Sequence, residues 1–248
     1  MRRLLLGLLV ALVALGGWLM PRHPLLAAVV VAAVVALGVF QWRVQRAARR
    51  LTDAGLRCDL DALERSATGP MRILANIALV HHGAGMRSLV SLCTCGECDK
   101  DWFDTELEYV ARISRAAWSG RGKEAYDLAM RQDPSCKDVP PPFVEAVMPL
   151  RLVNLLVSYA AAVDDEASPD ERPLEWVDTI VSLAETSWPA LRWPVRLAAA
   201  RDAAARGDHS VVQRRLEQMP AWPDGSPLER VRQRLLAQVS AAARTIER

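Results

Sequence analysis

"LLLGLLVALVALGGWLMPRHPLLAAVVVAAVVALGVF", residues 4–40, carries one permanently charged side chain, Arg22, and no acid. Two uncharged runs, Leu4–Met20 and Leu25–Phe40, flank Pro21-Arg22-His23-Pro24. Each run lies near the low end of the roughly 17–25 residues a helix needs to cross a hydrocarbon core of about 30 Å. A single helix through both prolines would lose backbone hydrogen bonds and hold Arg22 at mid-membrane. The expected arrangement is therefore a transmembrane helical hairpin, residues 1–42, that turns at the prolines, with Trp18 and Trp42 as interfacial anchors.

Arg2 and Arg3 ahead of an apolar run also fit a secretory signal. No small-x-small cleavage site precedes a polar start, however, and a second apolar run follows at once. The flanking charges set the orientation. Arg2 and Arg3 precede the first run, Arg22 alone lies between the runs, and Arg43, Arg46, Arg49 and Arg50 follow the second. The positive-inside bias puts both ends in the cytoplasm, which makes the chain an inner-membrane protein whose soluble part faces the cytosol. The four membrane-flanking arginines also suit contact with anionic lipid.

Elsewhere the charge is mild: +2 overall, with a pI near 8.4. Neutralising a nucleic-acid backbone needs a clustered basic excess, so nucleic acid is not an expected partner. The 248 residues are 51% hydrophobic but only 6% aromatic. An apolar excess of Ala, Leu and Val favours helices packed through small residues, and the fold class expected is all-α.

Local start and stop signals agree. Ser226-Pro227-Leu228-Glu229 offers an N-cap, a first-position proline and a glutamate spaced for a capping box, ahead of Leu228, Val231, Leu235 and Val239 on one helix face. Asp104 or Thr105 is expected to cap a helix with the stripe Leu107, Val110, Ile113 and Ala117, ended by Gly120 and Gly122. Pro70 is expected to start a helix ending near Gly83 and Gly85, and Pro173 or Leu174 one that carries Trp176, Val177, Ile180, Val181 and Ala184. The apolar stretch Phe143–Val163 holds Glu145, Arg151 and Asn154 and is broken by Pro149, which suits a buried core helix rather than a third span. "VDDEASPDERP" reads as a solvated acidic linker. The domain organisation expected is the anchor 1–42, a helical-hairpin region 43–163, the acidic linker 164–173 and a second helical-hairpin region 174–248. The Trp-Pro pairs Trp188-Pro189, Trp193-Pro194 and Trp222-Pro223 read as helix starts with a tryptophan against the turn.

"SGRGKEAYDLAMRQDP", residues 119–134, has Gly120 at a turn, Glu124-Ala125 opening a helix and Asp133-Pro134 closing it. "RGDHSVVQRRLEQMP", residues 206–220, repeats the pattern with Gly207-Asp208, Val212 and Pro220, and a fainter copy lies in "AGLRCDLDALERS", residues 54–66. These stretches resemble the turn and second helix of tetratricopeptide repeats, at irregular spacing. The resemblance implies an α-solenoid whose stacked hairpins leave a groove for a protein partner and that carries no chemistry of its own.

Catalytic motifs are missing from the sequence: there is no H-E-x-x-H, no G-x-S-x-G and no phosphate-binding G-x-x-x-x-G-K-[ST]. No catalytic residue, cofactor or small-molecule substrate is therefore expected. One stretch remains, "CTCGEC", residues 93–98. Cys93, Cys95 and Cys98 can supply three tetrahedral ligands from one loop, Gly96 permitting the turn, with His82 as fourth ligand or else His81, Cys58 or Cys136. Free thiols or a dithiol pair are the other readings, and five cysteines in a reducing compartment argue against structural disulfides. Two functions follow. The first is a membrane-anchored helical-repeat scaffold or assembly factor; the alternative is a cytoplasmic-facing thiol or zinc-binding sensor using Cys93–Cys98.

Overall fold

In a computed structural model, the structure describes residues 14, 23–68, 71–84, 100–132, 144–164 and 177–246. Ten α-helices and one 3-10 turn make up these residues, and no strand occurs among them. The chain is all-α. In order the helices are α1 (Pro24–Leu56), α2 (Leu60–Ser66), α3 (Arg72–His81), α4 (Lys100–Trp118), α5 (Gly122–Met130), α6 (Val144–Asp164), α7 (Val177–Ser187), α8 (Arg192–Ala205), α9 (His209–Leu216) and α10 (Pro227–Ile246), with the 3-10 turn at Pro189–Leu191.

The chain divides into two compact units, residues 1–49 and 50–248. In the first unit, α1 exposes Leu25, Leu26, Val29, Val31, Val35, Leu37, Val39, Phe40 and Trp42. So many large apolar side chains facing outward do not suit water, and α1 is long and apolar enough to cross a membrane. The first of the two expected spans, Leu4–Met20, falls outside the described residues apart from Ala14.

In the second unit, helices packed through small residues form one large core, with a smaller cluster of Ile113, Leu128 and Ala129 beside α4 and α5. Leu150, Val153 and Leu156 of α6 share the large core with Leu197, Ala198 and Ala200 of α8, so helices on both sides of the acidic stretch pack together. α6 also has the length and apolarity of a membrane span, but 72% of that window is buried inside the protein, where a core helix belongs. Pro149 lies inside α6 without ending it. So close to the helix start, the missing N–H removes only one early backbone bond. Gly122 shows how closely the elements approach: a Cβ there would sit 2.2 Å from the Ala161 carbonyl oxygen. With the Tyr126 ring against that of Tyr159, later in α5 and earlier in α6, this contact runs α5 antiparallel to α6.

Three helix–turn–helix junctions share one local chemistry. The backbone N–H groups of Asp59, Arg121 and Asp208 each bond at 3.0 Å to the carbonyl five residues earlier, of Ala54, Ala116 and Ala203. The residue before each donor, Cys58, Gly120 or Gly207, has positive φ, as the left-handed termination of a helix requires. Nine residues after each alanine comes a fully buried apolar residue, Leu63, Ala125 or Val212. Asp59 and Asp208 then cap the following helix, accepting from the N–H groups of Ala62 and Val211. One residue thus ends one helix and starts the next.

One expected helix start and one expected cap differ from those observed. α4 begins at Lys100, so Asp104 and Thr105 lie within the helix rather than at its cap. α10 begins at Pro227 as its sequence predicts, but Glu229 turns away from the expected capping box. Its Oε2 accepts from the Trp222 backbone N–H at 2.9 Å, and its Oε1 accepts from Arg232 and Gln233. Ser226 Oγ has no hydrogen-bond partner.

Candidate functional site

Asn76 to Val80 bury α3 almost completely, and the two histidines at its end are buried with them. His82 Nε2 lies 2.8 Å from the Ala190 carbonyl oxygen, and Nδ1 lies 2.9 Å from Trp222 Nε1. A carbonyl accepts and an indole N–H donates, so these partners fix the tautomer: Nε2 carries the proton and Nδ1 accepts. Burial holds this imidazole down at about 4 against an ordinary 6.5, although the Ala190 bond works in the other direction. His81 Nδ1 meets Ser114 Oγ at 3.2 Å, and its Nε2 has no partner. Burial, followed by the charge of His82, lowers His81 to about 3. Both rings are neutral at physiological pH, and neither has the basicity of an efficient general base.

Ser114 lies on one face of α4 with Ala111, Arg115 and Trp118, at the i, i+3, i+4 and i+7 positions. This face lines a pocket of about 150 Å³, closed by Val80, Gly83 and Ala84 at the end of α3 and by Pro227 and Arg230 at the start of α10. Gly83 has φ +78°, and a Cβ on it would lie 2.6 Å from Leu228 Cδ1, so glycine here lets α10 close the pocket. Trp118 is 5% exposed and its indole N–H has no partner. Arg115 and Arg230 are exposed, with no ion-pair partner among the described residues.

The body also holds two buried ionic clusters. Arg151 donates from Nε to Glu106 Oε1 at 3.0 Å and from Nη2 to Oε2 at 2.8 Å, while Gln132 donates to Oε1 at 3.2 Å. Arg201 donates to Asp164 at 2.8 Å and to the Ala117 carbonyl at 3.0 Å, joining α8 to the ends of α6 and α4.

The ligand set expected at the cysteine loop divides. Cys93, Cys95, Cys98 and Cys136 lie outside the described residues, and so does Trp176. His82 is described, and both of its nitrogens are taken by hydrogen bonds, so a metal there would have to displace one of them. Cys58 is buried, and its thiol is pushed up to about 12 by burial and then by the nearby Glu229 carboxylate, which disfavours the thiolate a metal requires. No group of three His, Cys, Asp or Glu side chains placed to hold a metal occurs among the described residues. The membrane-flanking arginines lie along α1, where Arg46 stacks over the Trp42 ring at 5.1 Å.

The tryptophans seal turns. Trp193 donates from Nε1 to the Leu56 carbonyl at 2.7 Å at the end of α1, Trp188 precedes the 3-10 turn, and Trp222 meets His82. Sequence reasoning passed over Ser114, Arg115, Trp118 and Arg230. The one available signal was a serine beside the apolar stripe of α4. No protein-family model, curated protein or solved structure matches the chain.

Proposed function

We propose that the protein is a membrane-anchored helical scaffold whose body, residues 50–248, binds a protein partner on the cytoplasmic side of a bacterial inner membrane. The observation that carries this reading is α1: its outward apolar surface runs from Leu25 to Trp42 and is followed by Arg43, Arg46, Arg49 and Arg50. That order of apolar surface, interfacial tryptophan and arginines is what a span leaving a bilayer into the cytosol presents. The shared turn chemistry at Cys58, Gly120 and Gly207 supports an irregular helical-repeat body similar to tetratricopeptide proteins.

Within the body, Met130 and Met148 are the large apolar side chains exposed among the described residues. The antiparallel pairing of α5 and α6 places both toward the same end of that hairpin. Flexible thioether side chains suit an adaptable protein contact. The test has two parts. A reporter fused after Arg248 should be active only as a cytoplasmic fusion, and photo-crosslinkers at Met130 and Met148 should each yield the same discrete protein adduct in cells. Periplasmic reporter activity would overturn the topology, and absence of any protein adduct would overturn this contact surface.

A further inference from the structure

We propose that the pocket between α3, α4 and the start of α10 binds a phosphate monoester group, held by Arg115, Arg230 and Ser114. Among the described residues, the polar side chains that line it are those of Ser114, Arg115, Trp118, Ser119 and Arg230, with no carboxylate among them. Ser119 is engaged locally, donating to the Ala116 carbonyl. Arg115, Arg230 and the Trp118 indole offer N–H donors, and Ser114 offers its hydroxyl hydrogen when His81 Nδ1 carries the proton of the bond they share.

Charge selects the ligand. Arg115 and Arg230 bring two positive charges that no acid among the described residues neutralises. A phosphate monoester carries about −1.5 to −2 near neutral pH and three terminal acceptor oxygens, whereas a carboxylate carries one charge and two oxygens. Arg230 stands in the first turn of α10 beside Glu229, whose carboxylate is taken up by the Trp222 N–H, Arg232 and Gln233.

The buried groups point the same way. The Trp118 indole N–H is an unpaired donor in a side chain that lines the pocket, and an unpaired buried donor is unfavourable by about 1–3 kcal/mol. The Ser114 hydroxyl is bonded to His81 Nδ1 alone, which leaves unused hydrogen-bonding capacity on its oxygen. Val80, Ala84, Ala111 and Pro227 supply an apolar wall suited to a short hydrocarbon stem. A volume of about 150 Å³ matches a cavity that accepts a benzene-sized molecule, so the ligand is small or inserts only its head. The site is independent of the scaffold reading, and either can fail without the other.

The experiment is calorimetric titration of the full chain in neutral detergent with butyl phosphate, a short-chain phosphatidate and butyrate. Butyl phosphate is expected to bind with Kd below about 1 mM. Arg115→Gln and Arg230→Gln should each weaken it about tenfold or more, as loss of a charge-assisted hydrogen bond does, with the thermal midpoint unchanged because both arginines are exposed. Binding of both phosphates supports a soluble ester; binding of the phosphatidate alone, lost in the arginine variants, supports a lipid headgroup. The proposal is overturned if neither phosphate binds up to about 10 mM, if the double variant Arg115→Gln/Arg230→Gln binds as wild type does, or if butyrate matches butyl phosphate.

Discussion

Acidification from pH 7 to pH 5 will destabilise the helical body through His81 and His82. Both rings are fully buried, and burial holds them at about 3 and about 4, against 6.5 for a solvated imidazole. A depressed folded-state value means that the unfolded chain takes up protons first. Stability is therefore complete above about pH 6.5, falls as pH drops below it, and stops falling once the folded values are passed. At pH 5 each ring removes about 2 kcal/mol, and the pair about 4 kcal/mol. That is a large share of the 5–15 kcal/mol typical of a folded domain. The geometry gives the direction a second cause at His82, where a proton on Nδ1 would face the Trp222 N–H donor to donor. Urea unfolding followed by tryptophan fluorescence at pH 7, 6 and 5 measures the effect. His81→Gln and His82→Gln should each abolish roughly half of the histidine-derived loss of about 4 kcal/mol, whatever they do to stability at pH 7. If both variants kept the wild-type slope between pH 7 and 5, the reasoning would be refuted.

Gly122→Ala should lower stability by about 3 kcal/mol, because its Cβ meets the Ala161 backbone and α5 can relieve the clash only by moving off α6; the thermal midpoint reports it. Glu106→Gln takes the carboxylate from the buried Arg151 guanidinium and should destabilise by about 3–5 kcal/mol in urea titration, whereas a loss under 1 kcal/mol would show that other groups carry that charge. Asp59→Ala removes the acceptor for the Ala62 N–H and should lower stability by about 1 kcal/mol, with Asp59→Asn retaining most of it.

Helix identity was legible wherever it rests on local chemistry. The positive-φ glycines at 120 and 207 end helices where the turn signals put them, and Val110, Ile113 and Ala117 are buried on one face as their spacing predicts. The acid-interrupted stretch around Arg151 reads correctly as core because a buried arginine demands a partner, although the sequence could not say that the partner is Glu106, 45 residues away. Glu229 shows the limit of a motif. The spacing from Ser226 suits a capping box, yet the carboxylate serves the Trp222 N–H, which arrives from a turn whose path is set by tertiary packing. The pocket was hidden for a related reason. Ser114 and Trp118 sit beside an apolar stripe and look like core, while the arginine that faces them comes from a helix more than a hundred residues later.

The bonds that join distant parts of the body also bear on the order in which it assembles. The backbone bond of each shared turn joins residues five apart, so those junctions close over short loops and form early. The bonds from His82 to Ala190 and Trp222, and from Trp193 to Leu56, bridge separations of 108, 140 and 137 residues, and their loops close last. During synthesis the first junctions leave the ribosome well before residue 222 exists to complete the fold. Weakening the late bonds should therefore quicken unfolding while leaving the folding rate nearly unchanged. A chain cut short before Trp222 would lack α10 and hold its remaining helices in a looser, faster-opening body.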